Sequence, residues 1–149
     1  MAGWKKLRVK DLEDHMVPDQ LKNLLEAAAG RDGTDPLPKL LESVLAQVRA
    51  AIRTGRTAPL SADGEKVPEE LWSDGCALLL EKLQGRLPAL RLTADQVRAA
   101  ETARLRLRRV ERGELQVSCP TDPSPSQGIP IRCLHFRPHP IRSSQLEGL

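Results

Sequence analysis

Aromatic residues are almost missing from this chain. Among 149 residues only Trp4, Trp72 and Phe136 are aromatic, and there is no tyrosine. A core with so few rings must be built from Leu, Val, Ile and Ala. That favours helix packed on helix, because sheets lean on aromatic and β-branched side chains. The same shortage removes base stacking as a means of holding single-stranded nucleic acid. Cysteine is scarce as well. Cys76, Cys119 and Cys133 are an odd number at scattered spacing, which is no disulfide framework and fits a reducing, cytoplasmic compartment. No apolar run approaches the roughly 18 residues of a membrane span. The charged start, Met1 to Lys10, has no apolar run behind it, so no signal peptide is expected.

Catalytic signatures are missing too. No glycine cluster follows a strand-like run, as a phosphate loop requires. No serine stands in the glycine-flanked elbow of hydrolases. His15, His135 and His139 have no Ser or Cys partner that sequence can place beside them, and His15 reads as part of a solvated cluster with Asp11, Glu13 and Asp14. The expectation is a protein that is not an enzyme and carries no cofactor. Charge of one sign is not concentrated either: 23 Lys and Arg stand against 20 Asp and Glu, a net +3. A dedicated nucleic-acid binder carries a stronger or more focused excess.

What is present is helical periodicity. Residues 1–16 show no clean period, although Leu7, Val9 and Leu12 suit a short packed segment. A first helix is expected over 18–29, opening on Pro18, whose missing N–H is harmless at the first helical position. Val17, Leu21, Leu24, Leu25 and Ala28 would share one face, and Gly30 would stop it. A second helix is expected over 37–53. Leu37, Leu40, Leu41, Val44, Leu45, Val48 and Ile52 form its apolar stripe, a mixed polar face lies opposite, and Gly55 closes it. Residues 55–66 read as a loop, with Asp63-Gly64 suited to a tight turn or a small hairpin. A third helix is expected over 68–87, with Glu69 and Glu70 in the first turn where the dipole favours them. Its stripe of Trp72, Cys76, Leu79, Leu80, Leu83 and Leu87 is broadened by Leu71 and Leu78, which implies burial on two sides. A fourth helix is expected over 94–112. Thr93-Ala94-Asp95-Gln96 is a capping box flanked by Leu92 and Val97 as a hydrophobic staple, and Gly113 stands at the end. The fold class is therefore mainly α: a small antiparallel bundle of about four helices.

After Val117 the composition changes. Six of the twelve prolines lie at 120, 123, 125, 130, 138 and 140, a spacing that forbids a helix and removes strand donors. Residues 1–117 read as a helical domain and 118–149 as an extended arm. The arm keeps Ile129, Ile131, Leu134, Phe136, Ile141, Leu146 and Leu149. A solvated linker has no use for so many apolar side chains, whereas a segment that folds on a partner, or back over its own domain, does. Two further groups stand out. Arg98, Arg104, Arg106, Arg108, Arg109 and Arg112 on the fourth helix suit either a subunit face or phosphates, diluted by Asp95, Glu101 and Glu111. Cys119, Cys133, His135 and His139 are the right donors for structural zinc. Thirteen residues separate the two cysteines, however, where a knuckle has two to four, and prolines flank His139, so ordinary arm side chains are the expected reading. Cys76, on an apolar face, reads as a small buried hydrophobe.

The order of parts resembles a known family, the small head–tail connector (adaptor, or head-completion) proteins of tailed bacteriophages. The likeness covers roughly residues 17–117: a short helix, the long amphipathic helix from Leu40 to Ile52, a loop reaching Ala58-Pro59-Leu60, then Val67-Pro68-Glu69-Glu70-Leu71 and a Leu-rich helix. The last helix ends Leu107-Arg108-Arg109-Val110-Glu111-Arg112-Gly113-Glu114-Leu115 before a Pro-rich tail. The chain departs from the family where aromatics are usual near the end of the second helix, at Arg53, Thr54 and Arg56. The resemblance implies a structural virion protein in the head–tail neck, assembled in the host cytoplasm. It implies a ring of copies, commonly twelve, between the portal and the tail or stopper proteins, which extends the DNA channel. The arm would dock on the portal or on a neighbouring copy. The fourth-helix arginines would line a subunit interface or face the channel and touch the DNA backbone. A small nucleic-acid-binding packaging or regulatory protein is the alternative, using those arginines with Lys5, Lys6, Arg8 and Lys10.

Overall fold

A computed structural model describes residues 3–29, 35–87 and 91–125. The chain is mainly helical. In order come strand β1 (Trp4–Lys6), a short 3-10 helix (Val9–Asp14), α1 (Pro18–Ala28), α2 (Leu37–Gly55), strand β2 (Lys66–Pro68), α3 (Glu69–Arg86) and α4 (Ala94–Glu111). The four expected α-helices are all present, within two residues of their expected ends.

The bundle is made by α2, α3 and α4, which pack on one another, while α1 leans on the 3-10 helix. On the expected α2 stripe Leu37, Leu40, Val44, Leu45, Val48 and Ile52 are buried, while Leu41 is only half-buried. The central helix is α3. Every residue from Asp74 to Leu80 is buried, so it is enclosed on more sides than its stripe alone implies. Burial on α4 falls on Ala100, Ala103, Leu107 and Val110. Two alanines in that seam let the helices approach closely. Leu105 is 58% exposed, as expected for a residue off the stripe, but Val97 is also exposed, at 42%. Direction follows from the side-chain pairs. Arg104 meets Glu81, and two residues later Arg106 meets Asp74, so α4 runs antiparallel to α3. Lys82, late in α3, donates to Ser43, early in α2, so α3 also runs antiparallel to α2.

Helix ends are set by local chemistry. Thr93 Oγ1 accepts from the Gln96 N–H at 3.2 Å, and Gln96 Oε1 accepts from the Thr93 N–H at 2.9 Å, the reciprocal box that satisfies two orphan donors. At the other end of α4, Gly113 has φ +72°. Its N–H reaches Val110 O and the Glu114 N–H reaches Arg109 O, both at 2.9 Å, which is a Schellman closure. The end of α2 differs from expectation. Gly55 is its last residue, and the left-handed position falls on Arg56, at φ 50°. Gly55 is needed for another reason: a Cβ there would lie 1.8 Å from Val110 O. The ends of α2 and α4 touch through that missing side chain.

No hairpin forms at Asp63-Gly64. Instead β2 pairs with β1 in antiparallel register, Trp4 opposite Pro68 and Lys6 opposite Lys66. Asp63 closes a local turn by accepting the Glu65 N–H at 3.0 Å, which leaves β2 free for the N-terminal strand. The loop before it is not a solvated connector. Thr57, Ala58, Pro59, Leu60 and Ser61 are all buried.

Candidate partner interface

Arg49 organises the side of the bundle that carries the loop. It stands on α2 and donates to three carbonyl oxygens: Ser61 at 2.8 Å, Asp63 at 3.1 Å and Lys66 at 3.2 Å. The planar guanidinium suits this task, because its donors diverge in a fixed fork. Its charge also sits 5.9 Å from the Trp4 ring. Burial, reinforced by the charge of Arg53, lowers its pKa from the usual value, yet a guanidinium remains a cation. Sequence patterning places Arg49 on the polar face of α2; its task as a clip for residues 61–66 depends on contacts 12 to 17 residues away and has no local signature.

The first residues of the expected arm are fixed on this same surface. Ser118 donates from its backbone and its hydroxyl to Glu70 Oε1, and its carbonyl accepts the Trp4 indole N–H at 2.7 Å. Four residues later Asp122 Oδ2 accepts from Ser61 Oγ at 2.9 Å and meets Lys66 Nζ at 3.1 Å. These partners hold the Asp122 carboxyl below the usual carboxylate range, the Lys66 hydrogen bond first and the Ser61 hydroxyl next. The backbone pairs as well: Ala62 N–H to Asp122 O and Ser124 N–H to Leu60 O, each at 2.7 Å, with a bridge between Ser61 and Pro123. The chain therefore runs across the body as far as Pro125, eight residues past the expected boundary at Val117. The expected arm anchors Ile129, Ile131, Leu134, Phe136, Ile141 and Leu146 lie outside the described residues.

The six arginines of α4 divide into two sets. Arg104 is paired with Glu81, and Arg106 reaches Asp74 at 3.0 Å and Glu70 O at 3.2 Å. Both belong to the α3–α4 contact. Burial pushes the Asp74 carboxyl above its ordinary value, and the charge of Arg106 works against that shift. Arg98, Arg108, Arg109 and Arg112 are exposed. Arg98 lies 3.8 Å from Asp95, and Arg109 and Arg112 share Glu114 at 4.0 and 3.9 Å. With the exposed Leu105 they line the outer face of α4, at the three- and four-residue spacing of one helix side. The N-terminal basic cluster is partly committed within the body. Lys5 lies 4.0 Å from the Trp72 ring centre, and Lys6 pairs with Asp63 and Glu65 at 3.2 and 3.1 Å. Lys10 and Arg8 remain exposed.

Two expectations about cysteine fare differently. Cys76 is free and fully buried, and burial, with the charges of Asp11 and Asp14, pushes its thiol up to about 12. That is a packed thiol and not a nucleophile. Cys119 is disulfide-bonded, which corrects the expectation of three reduced thiols. It also removes Cys119 as a thiolate for the zinc set, whose other members, Cys133, His135 and His139, lie outside the described residues. Among the described residues no cluster of three metal-ligating side chains occurs, and no helix is long and apolar enough to cross a membrane.

One groove opens beside the Arg49 clip. Its volume is about 600 Å³, and Val9, Pro38, Leu41, Leu45 and Ala46 give it an apolar lining. Arg49, Gly64 and Glu65 form the side nearest the loop. Compared with known protein families, curated proteins and solved structures, the chain matches none.

Proposed function

We propose that this protein is a structural connector, a ring-forming adaptor between the portal and the tail of a phage particle. The observation that carries the reading is the fixed exit of the C-terminal chain. Ser118, Asp122 and Ser124 fasten it to the body, and from Pro125 onward 24 residues rich in Ile, Leu and Pro follow. A rigid body that presents an apolar extension from a defined point suits assembly by exchange of arms. Many such contacts repeated around a ring give avidity even where each is weak.

The outer face of α4 supports the same reading. Arg98, Arg108, Arg109 and Arg112 flank exposed Leu105, a mixture suited to a subunit interface whose rim also meets phosphate. The portal, the tail or stopper proteins and further copies of this chain are the partners of this reading, and its place is the virion neck. The nucleic-acid-binding alternative draws on the same four arginines. It is weakened by the commitment of Arg104, Arg106, Lys5 and Lys6 to contacts within the body.

The two readings separate in one titration. A regulatory DNA binder would hold short duplex DNA alone, with an affinity that collapses between about 50 and 200 mM salt. The connector is expected to bind free DNA weakly and to co-purify with portal protein when the two are expressed together. Tight salt-sensitive DNA binding without portal association would replace the connector reading.

A further inference from the structure

We propose that copies of this chain meet head to tail, with the arginine-rich end of the bundle in one copy seated on the acidic corner around Val17 of the next. The inference rests on the connector reading and deepens it, by naming the two faces that successive copies join.

The basic face lies where α2 and α4 end. Those ends touch at Gly55 and Val110, so Arg53 and Arg56 share that end of the body with Arg108, Arg109 and Arg112, and all five are exposed. Set against Glu111 and Glu114, these five arginines leave a net charge of +3. Leu105 precedes Arg108 and Arg109 by three and four residues, on the same side of the helix, and is 58% exposed. The acidic face lies at the start of α4, where Gln96 Nε2 donates to His15 O at 3.4 Å. Glu13, Asp14 and Asp19 stand within four residues of His15, are exposed, and form no ion pair among the described residues. Over residues 9–26 five carboxylates stand against Lys10 and Lys22, a net −3. Val17 and Val97, 57% and 42% exposed, come within two residues of the same hydrogen bond.

Charge, apolar exposure and position all join these two faces. Their charges are opposite. Among the described residues Val17, Val97 and Leu105 are the large apolar side chains left exposed, and each belongs to one face or the other. The dipole of α4 favours cations at its end, but it gives no reason to expose Leu105 or Val17. From Gln96 to Val110 the helix rises about 21 Å, so the faces stand at opposite ends of one body and do not meet within it. Pairing either face with itself across two copies would bring like charges together, which is costly. Head-to-tail contact joins unlike ones, and heterologous contacts of this kind close into rings where the rotation allows. Exposed complementary charges set partner and register more than affinity. The contact therefore selects which faces meet, and the arm holds them together.

The test is charge reversal in the full chain, read as solution mass at low salt. Glu13→Lys, Asp14→Lys and Asp19→Lys together make both faces basic. Arg108→Glu, Arg109→Glu and Arg112→Glu together make both acidic. Each triple variant should fall from the parent's oligomer to the mass of a monomer. The chain carrying all six changes should regain the oligomer, which also shows that the changes leave the body folded. Unchanged mass in either triple variant would overturn the proposal, as would no recovery with all six changes, or a parent chain that stays monomeric. Arginine reversal that abolishes binding to duplex DNA and leaves the mass unchanged would assign the basic end to phosphate instead. An oligomer lost on ending the chain at Pro125, yet indifferent to charge reversal, would keep the connector reading and remove this one. Recovery by all six changes in a chain that never binds portal protein would sink the connector reading and keep this one.

Discussion

At the scale of single residues, three positions carry consequences that composition does not announce. Gly55 reads in sequence as a helix stop, but its role is contact. A side chain there would meet the Val110 carbonyl at 1.8 Å, and backbone cannot give way as the tip of a side chain can. Gly55→Ala is expected to cost about 3 kcal/mol, the upper end for overpacking, seen as a lower urea midpoint. The neighbouring Arg56 holds a left-handed conformation that costs an L-residue roughly 1 kcal/mol. Arg56→Gly should therefore raise the same midpoint by about that amount, a gain no contact list would suggest. Asp122 supplies a pH dependence. Its folded pKa lies below the ordinary carboxylate value, so its contribution is present above the unfolded pKa and is lost as pH falls through the folded one. Exchange protection of residues 118–124 should persist at neutral pH and fade below about pH 4, while Asp122→Asn should weaken it at neutral pH and remove that pH dependence.

At the scale of elements, the helices were legible because their information is local. The stripe on α2 and the box at Thr93 each lie within a few residues of the structure they specify. Thr93→Ala is expected to cost about 1 kcal/mol, through the loss of an N-cap acceptor, with the helical content of the folded protein unchanged. The β1–β2 pair was not legible. Three residues at the N-terminus meet three residues some 60 positions later, and neither triplet carries a strand pattern of its own. The buried loop from Thr57 to Ser61 was hidden for the same reason: its partners are Arg49 and the segment from Asp122 to Ser124. The α4 arginines illustrate a further limit. Spacing shows that six lie on one helix, but only the packing of α3 shows that Arg104 and Arg106 are committed to Glu81 and Asp74.

At the scale of the whole molecule, the body and its arm do not part at the change in composition. Proline marks a change in composition after Val117, yet hydrogen bonds hold the backbone to Ser124. Removing residues 118–149 should therefore destabilise the body, because it takes away Ser118 from Glu70 and Trp4, and Asp122 from Ser61 and Lys66. Removing 126–149 should spare those contacts, and comparing the two urea midpoints tests the difference. The measurement that bears most directly on the central claim, that the arm is the device of assembly, is the solution mass of the full chain and of the chain ending at Pro125, by light scattering. The account predicts a closed oligomer for the full chain and a folded monomer for the shortened one. The same mass for both would contradict it.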